Sequence, residues 1–316
     1  MSNRADKIRF LTMTLEEKVQ RTKELIVEWY YQFNGKVYIS FSGGKDSTVL
    51  LHIARSLKCG KDIVGVFDDT GLEYPEIRDF VKQQDNVVLI KPKMNFKQVV
   101  EKYGFPIISK EQSRNIYEIK TTKSKKLLEL RLGDGMASLA KKWRPLLDAD
   151  FKISNRCCRI MKKDTFHKFE KETGLKPIVA TMAEESRQRM SAYFRGDCNE
   201  FSVKRPISKP MSFWTEQEVL RYIKNNNIEL ASVYGDIVED NGVLRTTGLY
   251  RTGCMFCMYG LHLERHPNRF EQMKKTHPKQ YDYIMNKLNG KHIMNEYLKL
   301  DKRCAEPNMF EDNYNE

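Results

Sequence analysis

Residues Ser40 to Ser47 read Ser-Phe-Ser-Gly-Gly-Lys-Asp-Ser, directly behind the apolar run Val37, Tyr38, Ile39 and directly ahead of a helical stretch beginning near Thr48. A strand, a glycine turn and a helix in immediate succession make a cradle for an anion. Adjacent glycines let the backbone approach an anion without Cβ interference, and the amides of the loop and of the helix's first turn point at it. Ser40 opens the nucleotide-binding stretch, Gly43 and Gly44 form the turn, Lys45 adds a full positive charge, and Ser42 and Ser47 add hydroxyl donors. Asp46 fits beside an anion if it holds Mg2+ or orients the loop by accepting backbone hydrogen bonds. The glycine spacing is neither that of Walker A nor that of the dinucleotide-binding turn. A plain glycine-rich strand-to-helix turn is the structural alternative.

The pattern on either side extends this unit into a fold. Thr14-Leu-Glu-Glu17 is a capping box that starts a helix running to Phe33, where Asn34-Gly35 ends it. Strands are predicted at Val37 to Phe41, Ile63 to Phe67, Val87 to Ile90 and Lys176 to Ala180, with helices at about Pro75 to Gln84 and Phe96 to Tyr103. Strands separated by helices imply parallel pairing with crossovers on both faces, a doubly wound α/β sheet whose ligand lies beyond the strands' carboxyl ends. Trp214-Thr-Glu-Gln-Glu218 begins another capped helix reaching about Asn225, and an irregular segment with Tyr234 follows. Beyond Gly260 the chain is polar and mostly helical, with a break at His277-Pro278. The expected domains are a helical segment over 1–34, a nucleotide-binding α/β domain over 35–235 and a cysteine-containing, mostly helical region over 236–316.

The chain has 316 residues, 40% of them hydrophobic, which is enough for a packed core, and no apolar run approaches a membrane span. Met-Ser-Asn-Arg-Ala-Asp-Lys at the start carries no hydrophobic signal segment, so a cytoplasmic protein without a membrane partner is expected. Lysine and arginine outnumber aspartate and glutamate 55 to 42, a formal charge of +13 that favours anionic partners. Lys120, Lys123, Lys125, Lys126 and Arg131 cluster, followed by Lys141, Lys142 and Arg144. Such a run is either a solvated helix face or a nucleic-acid contact, and charge alone does not decide.

Asp68-Asp-Thr-Gly-Leu-Glu-Tyr-Pro-Glu76 follows the second strand, where a strand end opens into the ligand crevice; an acidic loop capping the next helix is the alternative reading. Together with the cradle, this stretch resembles the second motif of the phosphoadenylyl-sulfate (PAPS) reductase family, and Ser-Gly-Gly-Lys-Asp-Ser resembles the PP-loop of the ATP pyrophosphatase (adenine nucleotide alpha hydrolase-like) superfamily. The resemblance spans roughly residues 36 to 260. It implies a HUP-like fold, binding of ATP or adenylyl sulfate at the cradle, and a pocket lined by Asp69, Thr70 and Gly71. A third motif of the family, Gly-x-Arg-x-x-Glu-Ser-x-x-Arg, is matched at Glu185, Ser186 and Arg189, which the resemblance implies are nucleotide-binding, with basic side chains contacting the anionic part of the substrate; Met182 stands where its first arginine is expected.

Seven cysteines occur, an odd number that argues against a disulfide framework. Cys254-Met-Phe-Cys257 and the vicinal Cys157-Cys158 can grip one centre from two segments, as in zinc and iron–sulfur sites. Basic neighbours Arg156, Arg159, Lys162 and Lys163 favour thiolates there. Cys198 is a substitute ligand, and Cys59 reads as a small residue at a helix end. Assimilatory adenylyl-sulfate reductases carry this four-cysteine set around a [4Fe–4S] cluster, which the resemblance therefore implies; zinc or an empty redox dithiol are the alternatives. The reductases' nucleophilic Glu-Cys-Gly-Leu-His is absent, because Tyr259 precedes Gly260-Leu261-His262, and Cys304 on the charged tail is either its replacement or a free thiol.

Two chemistries follow. In one, Lys45 and Asp46 serve adenylylation of an acceptor with loss of pyrophosphate, coupled to sulfur transfer through the cluster, as in the related tRNA thiolases and DNA phosphorothioation sulfurtransferases; a nucleic-acid acceptor and a sulfur or electron donor protein are then partners. In the other, adenylyl sulfate or its 3'-phosphate is cleaved to sulfite. The complete lysine-containing cradle, the missing Glu-Cys-Gly-Leu-His and Met182 favour the first. A regulator that binds nucleotide or nucleic acid without turnover is the third reading.

Overall fold

The computed structural model describes residues 4–301. Cys304 lies outside the described residues. In chain order the strands are β1 Val37–Ser40, β2 Val64–Asp68, β3 Val87–Ile90, β4 Ile107–Ile108 and β5 Lys176–Ile178. They continue with β6 Asn199–Glu200, β7 Ile207–Ser208, β8 Ile237–Asp240, β9 Val243–Thr246 and β10 Met258–Tyr259. The chain divides into two compact units. The first comprises the chain up to Asp69, Glu73–Lys91 and Thr165–Gly253; the second comprises Thr70–Leu72, Pro92–Asp164 and the described residues from Cys254 onward.

The first unit carries a six-stranded sheet in the order β3-β2-β1-β5-β7-β6. All neighbours pair in parallel except β6, which runs antiparallel to β7. Val37, Tyr38 and Ile39 of β1 are all buried, as expected for a strand with helices over both faces. The chain steps outward from β1 through β2 to β3, then returns with β5 on the other side of β1. That reversal makes the carboxyl ends of β1 and β5 the switch point of the sheet, where open α/β folds keep their ligands. The expected doubly wound architecture is therefore present, with β2 shifted one residue to Val64–Asp68 and β5 ending at Ile178. β5 stops early because its outer neighbour β7 is two residues long and pairs with it only at Ile178.

Two capping boxes set the helices that pack on this sheet. Thr14 and Glu17 exchange backbone–side-chain bonds at 2.8 and 3.3 Å, and the helix Leu15–Gln32 buries Leu25, Ile26 and Trp29. Thr215 and Glu218 do the same for Glu216–Asn225, which buries Val219, Leu220 and Ile223. The buried Lys18 ammonium joins the two helices by an ion pair to Glu218 at 2.7 Å. Beyond Tyr234, where no strand is predicted, β8 and β9 form a hairpin. Asn241 and Gly242 turn it with φ of 48° and 80°, the left-handed pair that a two-residue turn requires.

In the second unit β4 and β10 pair in parallel, Ile107 opposite Met258 and Ile108 opposite Tyr259. Its core gathers Phe96, Ile116, Trp143, Phe256, Phe270 and Tyr297, all buried. The polar C-terminal region is helical at Arg269–Thr276, Pro278–Asp282 and Gly290–Leu298, with the break at His277-Pro278 in place. The basic stretch is spread over the helices Lys110–Thr121 and Lys125–Leu132, the link between them with Lys123, and the 3-10 helix Lys141–Asp148, and it divides by role. Arg131 is buried and paired with Glu118 at 2.7 Å, and Arg144 donates to the Leu132 and Gly133 carbonyls. Lys120, Lys123, Lys125 and Lys126 are exposed. Among the described residues no helix is long and apolar enough to cross a membrane.

Candidate functional site

The cradle sits between β1 and the helix Lys45–Arg55, which begins three residues earlier than its apolar pattern suggests. Its N-cap is Gly44, in extended conformation and with no side-chain cap. The first helical bond is Thr48 N–H to the Gly44 carbonyl at 3.0 Å, so the amides of Lys45, Asp46 and Ser47 have no acceptor within the helix. Gly43 is held at φ +70°, and a Cβ there would stand 2.8 Å from methyl carbons of Ile77 and Val81. Only glycine meets both demands.

The two serines staple the loop. Ser47 Oγ donates to the Gly44 carbonyl at 3.0 Å, accepts the Ser42 amide at 3.2 Å and lies 3.0 Å from Ser42 Oγ. Ser42 Oγ in turn accepts the Gly44 amide at 3.3 Å. Their hydroxyls thus shape the turn first, and the helical amides are left as its anion donors.

Lys45 is buried at 4% exposure, and its ammonium donates to Glu216 Oε1 at 2.5 Å and to the Tyr250 carbonyl at 2.7 Å. The rings of Tyr234 and Tyr250 stand 5.5 and 4.9 Å from the same nitrogen, a favourable setting for a desolvated cation. Tyr234 shares a hydrogen bond with Thr252 Oγ1 at 2.6 Å, and burial pushes its hydroxyl up to about 12. Burial also raises Asp46; Glu216 adds to the rise, while Lys45, Arg251 and Arg189 oppose it. Arg189 pairs with Glu185, whose other oxygen lies 4.0 Å from Arg251, and Ser186 caps the helix Arg187–Arg195 through the Arg189 amide at 3.2 Å. Burial and the neighbouring Arg251 lower the Arg189 guanidinium. Met182 is buried, and its amide bonds Glu185 at 3.1 Å.

The first unit therefore gathers the cradle, Glu185, Ser186 and Arg189 with residues that motif reading passed over: Glu216, Tyr250 and Arg251. Glu216 had a signal, as an acid in the first turn of a capped helix. Tyr250 acts through its carbonyl, which leaves no mark in a sequence. Asp69 accepts from Arg78 at 2.9 Å and follows β2, whereas Thr70 and Gly71 belong to the second unit, where Thr70 Oγ1 accepts the Leu72 amide at 3.2 Å.

Cys157, Cys158, Cys254 and Cys257 come together in the second unit. Burial drives the Cys157 thiol well above its ordinary range, and Cys158, Cys254 and Cys257 push it further. The Cys257 thiol is raised by burial and by Cys158, against the pull of Arg269 and Lys110. Tyr259 is raised by burial and by the same thiols. Among the described residues no three His, Cys, Asp or Glu side chains surround one point as a ready metal site. The four thiols are thus neighbours in charge rather than a closed coordination sphere. Cys198 lies in the first unit, buried, its thiol pushed up to about 11 by burial; Cys59 is half-buried just past the helix Lys45–Arg55.

A parallel α/β sheet with an open helix N-terminus at its switch point defines a class of anion-binding proteins. Residues 36–259 match the phosphoadenosine phosphosulfate reductase domain, and the chain belongs to that family. Two uncharacterized proteins of Methanocaldococcus jannaschii are each 38% identical, over 99 and 81 residues. These alignments take in 28% and 24% of this chain, which spans less than a quarter of those relatives' length, 23% and 17%. PAPS reductase from Candida auris, as a phosphate complex, overlays with a TM-score of 0.41 at 15% identity, covering 70% of this chain and 89% of that one. FMN adenylyltransferase from Candida glabrata, in complex with ATP, overlays at 0.40 and 12% identity, covering 72% and 64%. Both overlays are too loose to bear on chemistry.

Proposed function

We propose that the chain binds ATP or an adenylyl compound at the Ser40–Ser47 cradle and adenylylates an acceptor with release of pyrophosphate, coupled to sulfur transfer. The observation that carries this reading is the uncapped start of the helix at Gly44, with a buried lysine as its first residue. Free amides and the helix dipole receive a phosphoryl group. The acceptor oxygen attacks the α-phosphorus, the bond to the bridging oxygen breaks, and pyrophosphate leaves with that electron pair. Lys45 offsets the charge of the leaving group once it exchanges Glu216 for phosphate oxygens. Arg189 and Arg251 supply further positive charge beside Asp46. Asp46 would be the carboxylate that holds Mg2+, since a cation there would relieve the cost of ionising it in a desolvated setting.

Four thiols and the cations Lys110, Lys162 and Arg269 suit a thiolate-bound centre in their chemistry. A [4Fe–4S] cluster on Cys157, Cys158, Cys254 and Cys257 would supply the sulfur or redox chemistry, with zinc as the other occupant of the same donors. The acceptor class that fits the basic excess is a nucleic acid, tRNA or DNA, served by a separate sulfur or electron donor protein.

Family membership supports a second reading, cleavage of adenylyl sulfate or its 3'-phosphate to sulfite. One assay separates the two. Protein incubated with ATP and Mg2+ is expected to release pyrophosphate, and Lys45→Ala to abolish that release. Sulfite from adenylyl sulfate, with no pyrophosphate from ATP, would replace the first reading by the second.

A further inference from the structure

The second unit holds a cavity of about 400 Å³, inside the range of roughly 300–1,000 Å³ that encloses small ligands. Its apolar wall is a run of three rings. Phe96 and Phe256 have centroids 5.7 Å apart, and Phe256 and Tyr283 are 5.9 Å apart with planes inclined by 32°. Phe96 and Phe256 are buried, whereas Tyr283, also in the lining, is 40% exposed. Lys97 and Lys279 are also lining residues, and no carboxylate is. Lys97 makes a loose, exposed ion pair with Glu101 at 3.8 Å. At Gly71 the wall is bare backbone, since a Cβ there would meet nothing within 4 Å.

Aromatic faces with a cationic rim and no acid select a planar ring that bears an anionic group. We propose that this cavity binds a nucleotide unit, its base against Tyr283 and Phe256 and its phosphate at Lys97 and Lys279. Every base has a π-face to stack, and the side-chain amide of Gln280 in the lining can serve a base edge. Phe256 lies between Cys254 and Cys257, so the bound base rests against the chain that carries two of the candidate thiols. The inference stands on the cavity alone and does not depend on the cradle's holding ATP.

Photo-crosslinking of the full chain with 5-iodouridine 5'-monophosphate, followed by peptide mapping, tests it. Attachment is expected at Tyr283 or Phe256, competed by UMP and not by equal concentrations of uridine or inorganic phosphate. Tyr283→Ala and Lys279→Glu are each expected to weaken UMP binding by about tenfold in equilibrium dialysis, the scale of one lost base stack. Circular dichroism unchanged from the parent shows that both variants fold. Tighter binding of tetrauridylate than of UMP assigns the site to a strand, and the reverse assigns it to a free nucleotide; either result supports the inference. Attachment confined to the Ser40–Ser47 peptide, label that UMP does not compete, or parental affinity in Tyr283→Ala overturns it.

Discussion

Lys45 and Glu216 form an ion pair at 2.5 Å with side-chain exposures of 4% and 11%, so the cation at the head of the cradle helix is committed to a protein carboxylate. On the proposed function, phosphate and Glu216 compete for the same ammonium. Removing one member of a buried pair strands the other, at a cost of about 3–5 kcal/mol. Glu216→Gln is therefore expected to lower the melting temperature of the free protein and to enlarge the stabilisation given by Mg-ATP, because the nucleotide then supplies the missing anion. Thermal denaturation with and without nucleotide measures both. An unchanged nucleotide shift in the destabilised variant would leave the pair a purely structural one.

The glycines of the two motifs differ in what a methyl group would meet. Gly43 and Gly71 both have positive φ, +70° and +74°, but only the Gly43 Cβ collides, at 2.8 Å from Ile77 and Val81. Backbone strain alone costs roughly 1–2 kcal/mol, and overpacking adds about 1–3 kcal/mol. Gly43→Ala is expected to lose clearly more stability than Gly71→Ala in urea denaturation. Equal losses would mean that the Pro75–Lys82 helix, which carries both methyl groups, yields without cost.

Asp46 has a raised pKa because burial penalises its charged form. The folded protein then holds this proton more tightly than the unfolded chain does. Stability falls as pH climbs through the interval between the ordinary value of 3.8 and the raised one, and the penalty persists above it. Asp46→Asn removes the ionisation and is expected to be more stable than the parent at neutral pH, with a flatter profile. If Asp46 holds Mg2+, the same change weakens nucleotide binding far more with Mg2+ than with EDTA. Denaturation across pH and dialysis in the two buffers check the two halves.

How much of this was legible depends on how local each cause is. The capping boxes at Thr14 and Thr215, the strand–glycine–helix unit at Val37 to Arg55 and the break at His277-Pro278 each follow from a few adjacent residues. The strands β4, β6 and β7 are two residues long, too short for any periodicity to show; β4 exists because the distant β10 lies beside it, and β6 and β7 because they pair with each other at the edge of the sheet. The β8–β9 hairpin had a local signal, Asn241-Gly242, which the surrounding polar residues obscured. At the site, the cradle was readable, but the destination of Lys45 was not. Glu216 and the Tyr250 carbonyl reach it across 171 and 205 residues of sequence.

The basic stretch is expected to separate into two kinds of residue when substituted. Arg131 is buried against Glu118, so Arg131→Ala should destabilise the second unit. Exposed Lys123, Lys125 and Lys126 have nothing comparable to lose, and their joint replacement by glutamate should leave the melting temperature nearly unchanged. If the face meets a nucleic acid, that triple variant weakens binding of tRNA or duplex DNA and flattens its salt dependence by roughly 0.7–0.9 per lost phosphate contact. Parental affinity and slope would make the run a solvated surface.

The cysteines give the most direct test of the inorganic centre. The buried Cys157 and the half-buried Cys257 are thiols whose ionisation is opposed by desolvation and by neighbouring thiols, Cys158 acting on both. Gathering four thiolates close together is costly unless a cation is shared among them. Anaerobically purified protein is accordingly expected to be brown, and Cys254→Ser with Cys257→Ser to remove the colour and the bound iron together. Cys59→Ser, half-buried beside the cradle helix, and Cys198→Ser, in the first unit, should leave both intact. Colourless parent protein carrying one zinc per chain would keep the four donors and replace the cluster. Loss of iron in Cys198→Ser would instead overturn the assignment of the centre to Cys157, Cys158, Cys254 and Cys257.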